Sequence, residues 1–423
     1  MQTILGFDSW LGGAGKFARI VPALRERGYR LVLLHIGSWG GDPGRPTKEF
    51  HDDLEIRDIS YYGGRRFDEI LAIEKPAAVL FLSNDVFAHR SFNRYSQLIG
   101  VPSIHLYHGM HGVQAVNSAE PFKVNLFSQI RYVLVRVPKA LIHIWPCYVR
   151  ALYKTGARKA DWLRFFSDII NLARGKYIAH AAPDSLTSAA CVYTHTDISH
   201  AVGKYGYRPE HVHVVGNPDI AAFGLTADQI AAAATVPNVQ RPEIIYVDTG
   251  LIYAGMVYEN AEDFFVHLCA TRDALRMQGR TMSIKLHPQH FRTDFPDRLR
   301  AADIEVLGND NFVPRLLQCA AAIVEPSTAA LIPAVIGVPL LLARYGKLAA
   351  QAYGDVLLEY PRARLLDDPS RLNSLLQAEA VTMDANAVRA WITRNAGPLP
   401  AHLMPQRVAE VVHQLVQSSK ENN

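Results

Sequence analysis

Short apolar runs recur along the chain, and most of them are followed by residues with helical spacing. Runs rich in Val, Ile, Leu and aromatic side chains are typical of strands that a parallel sheet buries on both faces. In the first half of the chain these runs are Thr3–Phe7, Arg30–Ile36, Ala77–Ser83, Ser103–Tyr107 and Cys191–Thr194. Because strands and helices alternate, the pattern predicts an α/β fold with a doubly wound parallel sheet.

The same alternation resumes after a polar, proline-containing stretch, Thr235–Pro242. The apolar runs of the second half are Glu243–Val247, Ser283–His287, Ile304–Leu307, Ala321–Val324 and Pro339–Ala343. We therefore predict two Rossmann-like domains in tandem, 1–220 and 243–404, joined by a linker region, 221–242, and followed by a C-terminal helix and tail, 405–423. In such sheets ligands bind beyond the carboxyl ends of the strands, so a cleft between the domains is the expected active site.

Two loops at predicted strand ends of the first domain carry candidate chemistry. Gly12-Gly13-Ala14-Gly15-Lys16 opens a helix whose N–H groups could contact an anion, although a tight turn would also explain the glycines. It matches neither the P-loop nor the dinucleotide fingerprint. Asp8, just before it, is a candidate catalytic carboxylate or a cap. In Tyr107-His108-Gly109-Met110-His111-Gly112, His108 stands where a general base would be expected, the alternative being a hydrogen-bonded polar loop.

Two strand ends of the second domain carry an aspartate and a histidine. Asp248 follows the first strand, and its carboxylate could be a base, a nucleophile or a loop cap. Lys285-Leu286-His287-Pro288 ends the next strand in a histidine that can donate to a phosphate oxygen or act as a general acid. Strand alternation puts Lys285 on the same side as His287, where it could add charge, although a solvated lysine is the simpler expectation.

Glu325-Pro326-Ser327-Thr328 lies between a predicted strand and a helix that is expected to run to Ile336. Ser327 and Thr328 can cap that helix, and the same hydroxyl and N–H groups could also hold a phosphate. Glu325 could bind a ribose hydroxyl or be structural.

The order of these motifs resembles the second domain of GT-B glycosyltransferases. A strand ending in KLHP, then a strand, EPST, a helix and GVP, is similar to bacterial enzymes that use cytidine-nucleotide donors. These are the capsule and lipopolysaccharide sialyl- and Kdo-transferases and the teichoic-acid CDP-glycerol polymerases. The resemblance implies that His287 and the Ser327-Thr328 pair contact the donor phosphate, and that His287 supports departure of the nucleotide.

The resemblance is less complete for the base. Tyr107-His108-Gly109 is similar to the WHG of the polyol-phosphate polymerases, which implies that His108 is the base, but Met110-His111-Gly112 departs from that pattern. The acidic motif of the sialyltransferases is not found, so Asp8 or Asp248 would take its place. In a retaining Kdo-transferase, Asp248 would be the nucleophile.

Positive charge is concentrated in one segment of the first domain. The whole chain has 44 Lys and Arg against 40 Asp and Glu, and a net charge of +4 argues against a protein that coats nucleic acid. Residues 121–176, an expected basic and aromatic helical insertion, hold eleven basic residues and two aspartates, with nine aromatic residues among them. Such a segment suits an anionic membrane surface. Single-stranded nucleic acid, or a helical subdomain with solvated charges, is the alternative.

Several classes of protein are excluded. The N-terminus has no signal-peptide pattern, no run is long and apolar enough to span a membrane, and four scattered cysteines form no disulfide or zinc pattern. We therefore expect a cytoplasmic protein, peripheral at the inner face of the plasma membrane. No metal, cofactor or nucleic-acid partner is expected.

The sequence thus predicts a glycosyltransferase of bacterial surface polysaccharide synthesis. Its donor would be a CMP-activated sugar of the Kdo or sialic type, and its acceptor a glycan or a lipid-linked glycan. CDP-polyol phosphotransfer, or a UDP-sugar-dependent GT-B enzyme or epimerase, is the alternative. The candidate catalytic residues are Asp248, His108, Asp8 and His287, and the candidate donor-binding residues are His287, Lys285, Glu325, Ser327, Thr328 and Gly13.

Overall fold

The computed structural model describes residues 1–9, 13–40, 46–110, 140–173, 182–232, 241–252, 257–326 and 328–421. Two β-sheets organise this part of the chain. The strands of the first are β1 Gln2–Asp8, β2 Tyr29–His35, β3 Lys48–His51, β4 Leu54–Asp58, β5 Ala78–Phe81, β6 Ser103–Leu106, β7 Ala189–Val192 and β8 Val212–Val214. They lie in the order β3-β4-β2-β1-β5-β6-β7-β8, and all neighbours are parallel except β3 and β4.

The second sheet has six parallel strands. They are β9 Glu243–Val247, β10 Thr281–Lys285, β11 Glu305–Val306, β12 Ala321–Val324, β13 Leu340–Ala343 and β14 Ala363–Leu366. Their order is β11-β10-β9-β12-β13-β14. This confirms the predicted α/β fold with two parallel sheets in tandem.

Helices connect the strands in both units. From the first sheet to the start of the second they are α1 Ala14–Ala18, α2 Val21–Glu26, α3 Phe67–Glu74, α4 Phe87–Leu98, α5 Trp145–Lys154, α6 Lys159–Ala173, α7 Thr196–His200, α8 Pro218–Ala222 and α9 Ala227–Ala232. The later helices are α10 Ala261–Arg276, α11 Phe295–Ala301, α12 Asn309–Leu316, α13 Leu331–Val335, α14 Asp355–Leu358, α15 Leu372–Thr382, α16 Ala385–Asn395 and α17 Met404–Glu421. None of these helices is long and apolar enough to cross a membrane.

Helices α5 and α6 belong to the segment that was predicted as a basic, aromatic insertion, of which 121–139 and 174–176 lie outside the described residues. Tyr148 and Phe165 pack with Phe87 of α4 in a small apolar cluster. Beside it the buried guanidinium of Arg90, also on α4, lies 2.8 Å from the carboxylate of Asp168 on α6. These contacts fix the two helices to the first sheet through α4.

Strands β3, β4 and β14 depart from the apolar pattern. In β4 every residue is buried, yet it contains Glu55 and Arg57, and Arg57 is paired with both Glu55 and Glu74. The edge strands β3 and β14 are partly or largely open to solvent, although Leu366 of β14 is buried. An apolar run is therefore not required where ion pairs or an edge position satisfy the strand.

The chain passes from the second unit back to the first near its C-terminus. Helix α17 packs on the first unit, where the Tyr29 hydroxyl and His413 Nδ1 are 2.9 Å apart. Two stretches of chain connect the units: one leaves the first unit after β8, and the other returns to it before α17. Arg407 donates to the carbonyl oxygen of Val215 in the first of these crossings and of Pro398 in the second. A Cβ on Gly397, whose φ is +77°, would lie 2.5 Å from the Tyr193 carbonyl oxygen and 3.1 Å from the Gly216 Cα. The two crossings are thus in direct contact.

Candidate active site between the two sheets

The candidate residues follow strands at which the order of each sheet reverses. In the first sheet β1 lies between β2 and β5, and in the second β9 lies between β10 and β12. Asp8 ends β1, while Asp248 follows β9 and Glu325 follows β12. Ligands in open parallel sheets bind at such reversal points, at the carboxyl ends of the strands.

His108 lies just beyond the carboxyl end of β6 and is exposed. Its Nδ1 is 2.8 Å from the carbonyl oxygen of Leu82. Because a carbonyl only accepts, Nδ1 carries the proton, and Nε2 of the neutral ring is an acceptor. Burial on the protein side and the charge of Lys16 lower the pKa of His108, outweighing the Leu82 contact and Asp85, which raise it. The Lys16 ammonium also donates to the His108 carbonyl oxygen.

The loop that carries His108 meets the second unit. A Cβ placed on Gly109 would lie 3.6 Å from Oγ1 of Thr328. The structure therefore brings two sequence motifs together, one from each sheet, although 219 positions separate these two residues.

Asp8 and Gly13 form one local contact. The Gly13 N–H donates to Oδ2 of Asp8 over 3.1 Å, and Asp8 is 4% exposed. Asp8 thus holds the backbone just before α1, a structural role akin to the cap that the sequence offered as the alternative to a catalytic carboxylate. The Gly13 N–H is engaged with Asp8, which argues against its predicted contact with a donor.

Asp248 is enclosed by its own loop and by the loop after β10. Its Oδ1 accepts from the Gly250 N–H over 2.7 Å, and its Oδ2 accepts from the His287 N–H over 2.8 Å. The Nε2 of His290 lies 3.2 Å from the same Oδ2. With both oxygens engaged and the residue 4% exposed, this carboxylate is placed to hold loops, and a nucleophilic role does not agree with its surroundings.

His287 is partly exposed at the end of β10. Its Nδ1 is 3.4 Å from the Gln289 N–H, an acceptor contact that places the proton of the neutral ring on Nε2. Gly250 lies against the ring: its φ is +74°, and a Cβ there would be 2.8 Å from the His287 Cγ. Burial lowers the pKa of His287, and Asp248 opposes the shift. A neutral imidazole with an Nε2 donor is the form that suits a phosphate oxygen.

Lys285 is not the solvated lysine that the sequence favoured. It is 8% exposed, and its ammonium lies 5.9 Å and 6.0 Å from the ring centres of Phe223 and Phe312. Burial lowers its pKa, while Asp248 raises it. The strand's last residue thus contributes a buried positive charge near Asp248 and His287.

Glu325 is fully buried, so the predicted contact with a ribose hydroxyl does not agree with its position. Tyr246 donates to Oε1 over 2.8 Å, and the N–H and hydroxyl of Thr249 donate to Oε2 over 3.1 and 2.8 Å. Burial, with a smaller contribution from Asp248, raises the pKa of Glu325 to about 8. Glu325 therefore joins the loop after β9 to the end of β12.

Thr328 is the one member of the Ser327-Thr328 pair that the structure describes. Ser327, His111 and Gly12 lie outside the described residues. Thr328 opens a short 3₁₀ turn, Thr328–Ala330, that leads into α13, so the single long helix predicted to Ile336 is replaced by two short pieces. Among the residues that the structure describes, no group of three or more His, Cys, Asp and Glu could hold a metal.

The sequence did not identify several buried residues that hold the candidate site residues in place. Tyr246 and Thr249 hold Glu325, and His290 contacts Asp248. His290 follows the His287-Pro288 pair by two residues, which was the available signal, whereas Tyr246 lies in an apolar strand and carried none.

Comparisons with known proteins agree with this architecture. No protein-family model and no curated protein matches the chain. Similar solved structures include a variant of the wall teichoic acid polymerase TagF soaked with CDPG, with a TM-score of 0.52 and 11% identity over 99% of this chain and 90% of that chain. Another is the calicheamicin glycosyltransferase CalG4, with a TM-score of 0.52 and 16% identity over 99% of both chains. At such identities the similarity shows the fold alone: the chain has the two-domain GT-B fold.

Proposed function

We propose that this protein is a nucleotide-sugar-dependent glycosyltransferase of bacterial surface polysaccharide synthesis. Its donor is a CMP-activated sugar of the Kdo or sialic type, and its acceptor is a glycan or a lipid-linked glycan. The observation that carries the proposal is the approach of Gly109, next to His108, to Thr328 across the cleft. This approach supports the assignment of His108 as the base and of Thr328 to donor-phosphate binding.

Donor binding is assigned to the second unit. His287 donates from Nε2 to a phosphate oxygen, and the hydroxyls of Thr328 and Ser327 bind the same phosphate. The buried charge of Lys285 adds positive potential behind this group. Donors that are fixed before the reaction stabilise charge as it develops on a leaving group, without a cost of reorganisation.

Acceptor activation is assigned to His108. The acceptor hydroxyl oxygen attacks the anomeric carbon while the bond from that carbon to the phosphate oxygen breaks. The hydroxyl proton passes to Nε2 of His108, and the negative charge on the leaving nucleotide is stabilised by the hydrogen bond from His287 and by the ammonium charge of Lys285. Asp248 and Asp8 position loops, so this direct displacement inverts the anomeric centre.

CDP-polyol phosphotransfer is a second candidate for the same site. In that reaction the acceptor oxygen attacks a phosphorus atom, and the same His108 takes the proton. Two observations favour it: the Tyr107-His108-Gly109 motif, and the similarity in fold to TagF, whose compared structure was soaked with CDPG.

A thermal-shift series with CMP, CDP, UMP, UDP, GDP and ADP tests the donor class. A ligand that binds only the folded state at 100 times its Kd stabilises a protein by about 2.7 kcal/mol, so a specific nucleotide should raise the unfolding temperature measurably. We expect CMP to give the largest shift. A larger shift with CDP would favour the polyol reaction, and a shift with UDP alone would contradict both cytidine proposals and favour a UDP-sugar enzyme or epimerase.

The proposal includes attachment to an anionic membrane through α5 and α6. On α6, Leu163, Phe166 and Ile170 are 62%, 56% and 50% exposed and recur at helical spacing. On α5, Val149 and Tyr153 are also exposed. Apolar side chains at this spacing make one face of each helix able to enter a bilayer interface.

The acidic side chains near this apolar face are buried, whereas two basic side chains are exposed. Within 140–173 the only two acids, Asp161 and Asp168, are buried against Arg94 and Arg90. Arg158 and Lys159 are exposed at the start of α6. Each basic residue near an anionic surface contributes about 1 kcal/mol, so the face complements acidic lipid headgroups.

Flotation with lipid vesicles tests this attachment. We expect the protein to float with vesicles containing phosphatidylglycerol and to stay unbound with phosphatidylcholine alone. The pair Leu163→Asp and Phe166→Asp should abolish flotation, whereas Met277→Asp, at an exposed apolar residue of the second unit, should not change it. Equal flotation of all variants, or a gel shift of single-stranded oligonucleotides at physiological salt without flotation, would contradict the membrane assignment.

A further inference from the structure

His290 occupies an unusual position for an imidazole two residues beyond the His287-Pro288 pair. It is 1% exposed and packs against the rings of Phe264 and Phe295, with centres 5.6 Å and 4.7 Å away; the two phenylalanine rings are themselves 5.6 Å apart. Its Nε2 lies 3.2 Å from Oδ2 of Asp248. Burying an imidazole among aromatic rings costs free energy unless a polar partner compensates it, and Asp248 is that partner.

Asp248 links this buried ring to the backbone of His287 and to Gly250, which lies against the His287 ring. One of its oxygens accepts from the N–H of Gly250, the residue whose backbone lies against the His287 ring. The other accepts from the backbone N–H of His287 itself. The backbone N–H of His290 also donates to the His287 carbonyl oxygen over 3.0 Å. The peptide of His287 and the backbone beneath its ring are therefore held by one carboxylate, and the His290 imidazole lies against that carboxylate.

We propose that His290 is a positioning residue that fixes the orientation of His287 through Asp248. The inference rests on the proposed function, because it assigns a purpose to His287. The His290 side chain cannot contact a ligand in the cleft, since its ring is enclosed by Phe264, Phe295 and Asp248. Its effect on a bound phosphate must pass through the loop that it supports.

The charged groups that act on the His287 ring give the direction of the effect. Asp248 raises the pKa of His287, whereas His290 and Lys285 lower it, as does burial itself. Removing the imidazole at 290 takes away the effect by which His290 lowers the pKa of His287. It also loosens the loop, which reduces the burial of His287, another cause of the lowered pKa. The pKa of His287 should therefore rise toward the value of a free imidazole, about 6.5.

His290→Phe is the test variant, because it keeps the aromatic stack and deletes the contact with Asp248. We expect the imidazole signal of His287 in nitrogen-15 NMR to titrate at a higher pH than in the unsubstituted protein. We also expect the Kd for CMP to increase about tenfold. His290→Gln, which retains an N–H donor, should restore part of both quantities.

His267→Phe is the matched control, since His267 also stacks on an aromatic ring, Tyr345 at 5.1 Å, in the same unit, and its Nε2 faces the Tyr246 hydroxyl at 3.4 Å instead of Asp248. It should leave the titration of His287 unchanged. The inference is overturned if His290→Phe leaves that titration unchanged, or if His267→Phe shifts it equally. If His290→Phe folds poorly, His290→Leu is measured by the same titration. Failure of the unsubstituted protein to bind any nucleotide would contradict the proposed function alone, because the NMR titration needs no nucleotide.

Discussion

Replacing His108 by Gln should lower kcat by about 10²–10⁴-fold, the usual contribution of a general base. Glutamine keeps an N–H that can donate to the Leu82 carbonyl oxygen, so the loop should keep its place while the accepting Nε2 is lost. The Kd for the nucleotide should change little, because the donor phosphate is assigned to the other unit.

The pH profile gives an independent measurement of the same role. A base must be deprotonated to act, and the pKa of His108 is lowered by burial and by Lys16. The acid limb of kcat/KM should therefore lie below the ordinary histidine value of about 6.5 and should disappear in His108→Gln. His402→Gln, at an exposed histidine far along the chain, is the control. If kcat of His108→Gln stays within about threefold of the unsubstituted value, the base lies elsewhere.

Replacing His287 by Ala should lower kcat/KM by about 10²–10³-fold, as removal of one donor from a developing negative charge does in other enzymes. The same change should weaken CMP binding by roughly 10–100-fold, which corresponds to about 1.5–3 kcal/mol for a hydrogen bond to a charged group. Both effects arise because the Nε2 donor disappears while Asp248 and the loop after β9 remain.

Calorimetric titration with CMP and CDP and steady-state kinetics with a CMP-sugar measure these two effects. Gln289→Ala is the control within the same loop, since its backbone N–H, which contacts the His287 ring, is retained. Full turnover together with unchanged CMP affinity in His287→Ala would remove the basis for the donor-site assignment.

The fold was predictable where strands are buried on both faces. All residues of β5, β6, β12 and β13 are buried, so these strands appear in the sequence as apolar runs. Strand β4 was missed because its buried charges are paired: Arg57 with Glu55 in the same strand, and also with Glu74, seventeen positions further along the chain. The hydrophobic pattern of a sequence does not reveal which distant residues will form ion pairs with a charged strand residue.

The candidate site was predictable in position and less so in role. The carboxyl end of a strand in a parallel sheet lies at the ligand-binding edge whatever residue stands there, which is why the sequence could assign Asp248 and His287 to that edge. The role of each residue depends on distant partners. Glu325 is followed in the sequence by a proline and two hydroxyl residues, which suggests an exposed loop. Tyr246 and Thr249 nevertheless enclose it, and only the folded chain brings them together.

The contact between the two chain crossings limits how the enzyme can move. Gly216 and Gly397 touch where the backbone passes between the units, and Arg407 ties both segments to α17. Two backbone connections that meet at one place act as a single hinge, so opening of the cleft becomes rotation about that place rather than free separation. Any change in the distance between Gly109 and Thr328 is therefore expected to be a rotation about this place.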